Sequence, residues 1–111
     1  MWLFLPDAFL SVVAKDCPGD SLMVRARRPG DIERLFPAAM VTETPGHDYL
    51  FRAVVPRIEV ARVLSDQLMA MDYPNFKDEV HDRRLHDACS KVWRVMADLQ
   101  PVPPYSRARR R

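Results

Sequence analysis

All three histidines stand directly before an aspartate, at His47-Asp48, His81-Asp82 and His86-Asp87. Imidazole beside carboxylate is the pairing of general acid–base chemistry, because the carboxylate orients the ring and stabilises its charged form. Adjacent residues, however, project about 100° apart on a helix and to opposite faces of a strand, so a dipeptide is not a dyad. The useful spacing is Asp82 with His86, one helical turn apart. No positioned nucleophile is recognisable beside that pair. Asp82, His86 and His47 therefore define only a third-ranked reading, a small-molecule enzyme, and no catalytic residue is assigned.

Metal and cofactor chemistry finds no anchor. His81 and His86 are five residues apart, and neither HExxH, CxxC nor a carboxylate cluster joins them. The glycines, Gly19, Gly30 and Gly46, are each isolated in a turn, so no glycine-rich phosphate loop can form. No metal and no cofactor is expected. Cys17 and Cys89 lack ligand spacing and are read as free thiols in a reducing compartment.

Three groups of residues suit binding better than catalysis. Arg25, Arg27 and Arg52 alternate onto one side of two strands, with Arg28 at the edge, and can meet an acidic protein surface or phosphates. Tyr73, Asn75, Phe76 and Lys77 belong to the string Asp72-Tyr-Pro-Asn-Phe-Lys-Asp78, which puts two aromatics, a proline and alternating charge in a connection between helices. Arg107, Arg109, Arg110 and Arg111 form a cationic tail. Each has a plainer explanation: arginine stems shielding a solvated sheet face, an aromatic staple at a helix start, and a solubilising terminus.

The elements that carry these residues follow from periodicity. Phe9 to Lys15 and Leu22 to Arg28, separated by Asp16-Cys-Pro-Gly-Asp20, read as a β-hairpin, and Ala39 to Glu43 with Tyr49 to Val55 read as a second. Asp31 is expected to cap a short helix from Ile32 to Phe36, and Pro56 to open a longer one reaching Met71. Beyond Asp72-Tyr-Pro-Asn75 comes a short helical stretch, then a kink or break near His81. The period resumes at Leu85 and runs through Ala88, Cys89, Val92, Trp93, Met96 and Leu99. Pro101, Pro103 and Pro104 end it.

Leu22-Met-Val-Arg-Ala-Arg-Arg-Pro29 lines up with Tyr49-Leu-Phe-Arg-Ala-Val-Val-Pro56, a faint internal repeat that gives each half the order strand, strand, helix. On this alignment Leu22, Val24, Ala26, Tyr49, Phe51, Ala53 and Val55 face the core. Met23, Arg25, Arg27, Leu50, Arg52 and Val54 take the other side, which an antiparallel sheet can leave open to water. The expected fold is α+β, a four-stranded mainly antiparallel sheet in ββαββα order. An additional C-terminal helix completes it, with the helices on one face and Trp93 closing the core.

Length and composition agree with one domain: 111 residues, 48% hydrophobic and 29% charged, are globular values. Residues 1–100 are read as the domain and 101–111 as a flexible basic, Pro/Arg-rich tail. The net charge of +2 belongs to that tail, since setting aside its four arginines leaves 13 basic against 15 acidic residues. The apolar start Met1-Trp-Leu-Phe-Leu5 lacks a basic flank and is interrupted by Pro6-Asp7, so neither a secretion signal nor a membrane span is expected; it suits an edge strand or a lid.

The strings Val24-Arg-Ala-Arg-Arg-Pro-Gly-Asp-Ile-Glu-Arg-Leu-Phe-Pro37, Phe51-Arg-Ala-Val-Val-Pro56, Asp72-Tyr-Pro-Asn-Phe-Lys-Asp78, His86-Asp-Ala88 and Val92-Trp93 resemble a family of small uncharacterised bacterial proteins. The resemblance implies a compact autonomous domain and carries over no activity, ligand or functional residue. The leading expectation is therefore a cytoplasmic, non-enzymatic protein that binds a macromolecule, preferably a protein. It would use the arginine-bearing sheet face or the Tyr73–Asp78 connection. The first alternative is nucleic-acid binding through Arg25, Arg27, Arg52 and the Arg107–Arg111 tail. Nothing in these residues selects an oligomeric state.

Overall fold

The computed structural model describes residues 1–105. Its strands are β1 (Trp2–Leu5), β2 (Ala8–Val13), β3 (Ser21–Ala26), β4 (Thr42–Glu43) and β5 (Phe51–Pro56). They form one sheet in the order β1-β2-β3-β5-β4, with each neighbouring pair antiparallel. The helices are α1 (Asp31–Leu35), between β3 and β4, then α2 (Arg57–Met69), α3 (Phe76–Glu79) and α4 (Arg83–Ala97).

The sheet thus has five strands where four were expected. Pro6 and Asp7 make a two-residue turn that pairs Leu5 with Ala8 and folds the apolar N-terminus back as an edge strand. Reciprocal bonds of 2.8 Å close its far end, from the Met1 ammonium to the Val12 carbonyl and from the Val12 N–H to the Met1 carbonyl. Two helices, not one, follow α2. The chain is extended at Val80 (φ −89°, ψ 101°), and each helix has its own cap: the Asn75 side chain accepts the N–H groups of Lys77 and Asp78, and the Asp82 side chain accepts that of Leu85.

One face of the sheet is the core. Leu10, Val12, Val24, Ala26, Ala53 and Val55 pack there against Ile32, Leu35 and Phe36 of the α1 segment and Val60 of α2. Complete burial of side chains such as Phe36, Leu10 and Ile32 contributes about 1.5 to 3 kcal/mol each. Gly30 enters α1 at φ +90°, a left-handed conformation that any side chain would strain.

Asp31 does not cap α1 as expected. It is the first helical residue and deeply buried. Its carboxylate instead accepts the Phe9 N–H at 3.2 Å and both Nε and Nη2 of Arg28 at 3.3 and 3.2 Å.

The helices do not all share one face. α1 and α2 cover the core side, whereas α4 runs beside the opposite side, across a cavity from Trp2, Phe4 and Phe9. Trp93 does not close the core: it is 53% exposed. Along the apolar stripe of α4, exposure climbs from 7% at Leu85 to 55% at Met96, and Leu99, just past the helix, is 76% exposed. A regular period predicts that a helix has an apolar side, but only the packing of its neighbours decides how far along that side is covered.

Candidate binding surface

Strand register puts the arginines where alternation predicts. Arg25 is the direct cross-strand partner of Arg52, and Met23 of Val54, so all four lie on one face. Two like charges directly opposite each other repel, and the sheet supplies no neutralising group. It comes from the connection between β4 and β5. Residues 47–50 do not continue β5 but bend back over the arginine face, and Asp48 places its carboxylate 2.8 Å from Arg52 and 3.7 Å from Arg25.

Further bonds tighten this arrangement. Arg25 also donates to the Ser11 hydroxyl at 2.6 Å, and Arg27 to the Asp48 carbonyl at 2.7 Å. Tyr49, expected on the core side, is on this one: the Arg25 and Arg27 guanidinium groups lie 4.4 and 4.1 Å from its ring centre. The alignment with Leu22 fails there because the strand begins only at Phe51.

The face expected to stand open is therefore largely closed. The Arg25 and Arg52 side chains keep only 15% and 14% of their exposure, and Met23, Ser11 and Tyr49 are buried. Both Nε–H groups of the pair are buried with no partner among the described residues. At Asp48, desolvation tends to raise the carboxyl pKa, but the Tyr49 N–H, Arg25 and Arg52 outweigh it and hold the group below the usual carboxylate range.

The Tyr73–Asp78 connection is built as a helix start. Asn75 caps α3, and the Tyr73 and Phe76 rings pack 6.1 Å apart. Asn75, Phe76 and Lys77 line a cavity of about 580 Å³ with Trp93, Arg94 and Tyr105, the last stacked on Trp93 at 6.3 Å.

A second cavity, of about 530 Å³, lies between the sheet and α4 and is lined by Trp2, Phe4, Phe9, Arg27 and Tyr49 on one side and Leu85, Ala88 and Val92 on the other. Cys89 borders both cavities. The structure thus brings Arg27 to one flank of α4 and Asn75, Phe76 and Lys77 to the other, while Arg25 and Arg52 belong to neither. Arg107, Arg109, Arg110 and Arg111 lie outside the described residues.

Sequence reasoning missed the aromatic trio. Trp2, Phe4 and Phe9 share the arginine face, with ring centres 4.8 to 6.4 Å apart. The signal was present in the alternation of Trp2 and Phe4, once β1 is paired to β2.

Neither cavity has a histidine in its wall. Asp82 and His86 are one turn apart, but the Asp82 carboxylate is engaged by the Leu85 N–H and by Arg28 at 3.2 Å, and His86 has Asp87 as its nearest acid at 3.8 Å. Among the described residues no three histidine, cysteine or acidic side chains gather in metal-binding geometry, and no helix is long and apolar enough to cross a membrane. Both cysteines are free. Burial pushes the Cys89 thiol up, only partly offset by Arg28, which keeps it protonated and a poor nucleophile.

Comparison with protein-family models, with curated proteins and with solved structures yields no match.

Proposed function

We propose that this chain is a non-enzymatic protein-binding module whose recognition element is the apolar stripe of α4. The observation that carries this reading is the exposure of Trp93 and Met96 on α4, continued by Leu99 just past its end, on a helix whose apolar side is buried at Leu85 and half-buried at Cys89 and Val92. Large apolar side chains grouped in this way characterise surfaces that a partner covers, and aromatic residues and methionine are favoured at such interfaces. The Asn75–Lys77 corner adds a cationic, hydrogen-bonding rim to the Trp93 side of the stripe.

Nucleic-acid binding is the weaker reading, because Arg25 and Arg52 are engaged with Asp48 and Arg27 with its carbonyl and Tyr49. Two free thiols suit a reducing compartment, so a cytoplasmic setting belongs to the same proposal.

The test is site-specific photo-crosslinking in the cells that make the protein, with a benzophenone side chain at Met96 and, as control, at the exposed Glu33. Discrete adducts at position 96 that Trp93→Asp abolishes, with none at position 33, support the proposal. Equal or absent labelling at both positions removes it.

A further inference from the structure

The cavity between β1, β2 and α4 has a composition that the protein-binding proposal does not use. Its floor is the aromatic trio of Trp2, Phe4 and Phe9, and the turn of α4 opposite offers Leu85, Ala88 and Val92. Such a cavity is apolar, concave and, at about 530 Å³, within the range of small-molecule sites.

Its charged groups all come to the same lining. Three arginines, Arg27, Arg28 and Arg84, line it with a single carboxylate, Asp31. That carboxylate is consumed by Arg28 and the Phe9 N–H, and Arg28 in turn is shared with Asp82. Arg84 has no acidic partner among the described residues, and Arg27 donates only to a neutral carbonyl and lies on the Tyr49 ring. The wall therefore keeps a net positive charge over an aromatic floor.

We infer that this cavity is a binding site for a small aromatic anion, its ring packed against Trp2, Phe4 and Phe9 and its carboxylate or phosphate drawn to Arg84 and Arg27. A flat ring suits a floor on which Trp2 already stands edge-to-face with Phe4 and Phe9. Either head group matches the guanidinium fork, which engages carboxylate and phosphate through two donors. This site meets the Trp93 cavity at Cys89, but the aromatic trio, Arg27 and Arg84 line only this one.

The two tryptophans make the test direct, since each gives one indole N–H resonance and one stands at each surface. The full chain is titrated with naphthalene-2-carboxylate, 2-naphthyl phosphate and the uncharged 2-naphthamide, with Trp93→Phe used to assign the two signals. The expected result is a saturable shift of the Trp2 indole alone by at least one anion, the stronger of the two identifying the head group. Naphthamide should bind about tenfold more weakly, as for the loss of one charge-assisted contact.

Arg84→Gln, on an exposed helical position, should cost the same factor for the anion and nothing for the amide. Ala88→Phe should plug the cavity and abolish the shift while leaving the melting temperature near that of the parent. Absence of a saturable Trp2 shift with both anions, equal affinity for naphthamide, or a parallel shift of Trp93 would each overturn the assignment.

Discussion

Arg28, just beyond β3, and Asp82, the cap of α4, are 54 residues apart in sequence and joined by a 3.2 Å ion pair. Through Arg28 the pair continues to the buried Asp31 and from there to the Phe9 N–H. One short relay thus ties the start of α4 to β2 of the sheet, at the end of the helix where Leu85 is buried. Beyond that point exposure rises along the helix.

Asp82→Ala should loosen α4 as a unit, because it removes both the cap on the Leu85 N–H and the tie to Arg28. Hydrogen exchange should accelerate across residues 83–97 while β2 and β3 keep their protection. Unchanged exchange in α4 would mean that Leu85 alone holds the helix.

Asp31→Ala should be among the most damaging polar substitutions in the chain. It strands the Phe9 N–H and strips Arg28 of its two-point partner. Breaking a fully buried pair costs roughly 3 to 5 kcal/mol; about 2 to 3 kcal/mol is expected here because Arg28 retains contact with water. Urea unfolding of the variant against the parent measures it.

Asp48→Asn should lower the melting temperature at neutral pH by several degrees, since the Arg25 and Arg52 charges then face each other without a counter-ion. The folded-state pKa of Asp48 lies below its ordinary 3.8. The carboxylate's contribution is therefore complete above that value and fades as pH falls through the folded-state one. Thermal melts should show the parent and variant converging as acid protonates the carboxylate; a gap that persisted undiminished to the lowest pH at which the fold survives would contradict the ionic origin of the effect.

Phe36→Ala and Trp93→Ala should separate core from surface. Phe36 is wholly buried, and its truncation should cost about 3 to 5 kcal/mol. Trp93, half in solvent and stacked only on Tyr105 on its aromatic side, should cost less than about 1 kcal/mol. Denaturation midpoints of the two variants give the comparison, and equal losses would return Trp93 to the core.

Much of the local structure was legible because it depends on neighbours in sequence. The alternation of Leu22, Val24 and Ala26 against Met23 and Arg25 sorts residues by face, and the paired register of Arg25 with Arg52 follows from it. Asn75 announces a helix start through its own side chain, whereas Asp82, paired by its spacing only with His86, proves to be the cap of α4. The Tyr73–Asp78 string is such a start, and its two aromatics meet each other. Tyr49 shows where that reasoning stops: alternation holds only inside a strand, and nothing local marks Phe51 as its first residue.

Periods of two and of 3.6 and turn residues are properties of a few adjacent residues, and the amino-acid sequence by itself determined those for this protein: the β2–β3 and β4–β5 hairpins, the breaks, and the apolar sides of the helices. Tertiary structure alone decided that Asp48 would neutralise two opposed arginines, that Asp31 would serve Arg28 rather than its own helix, and that α4 would stand mostly uncovered. Each of these depends on distances between segments remote along the chain. Such distances are set by how whole elements pack, a sum over many weak contacts that no single stretch of residues encodes.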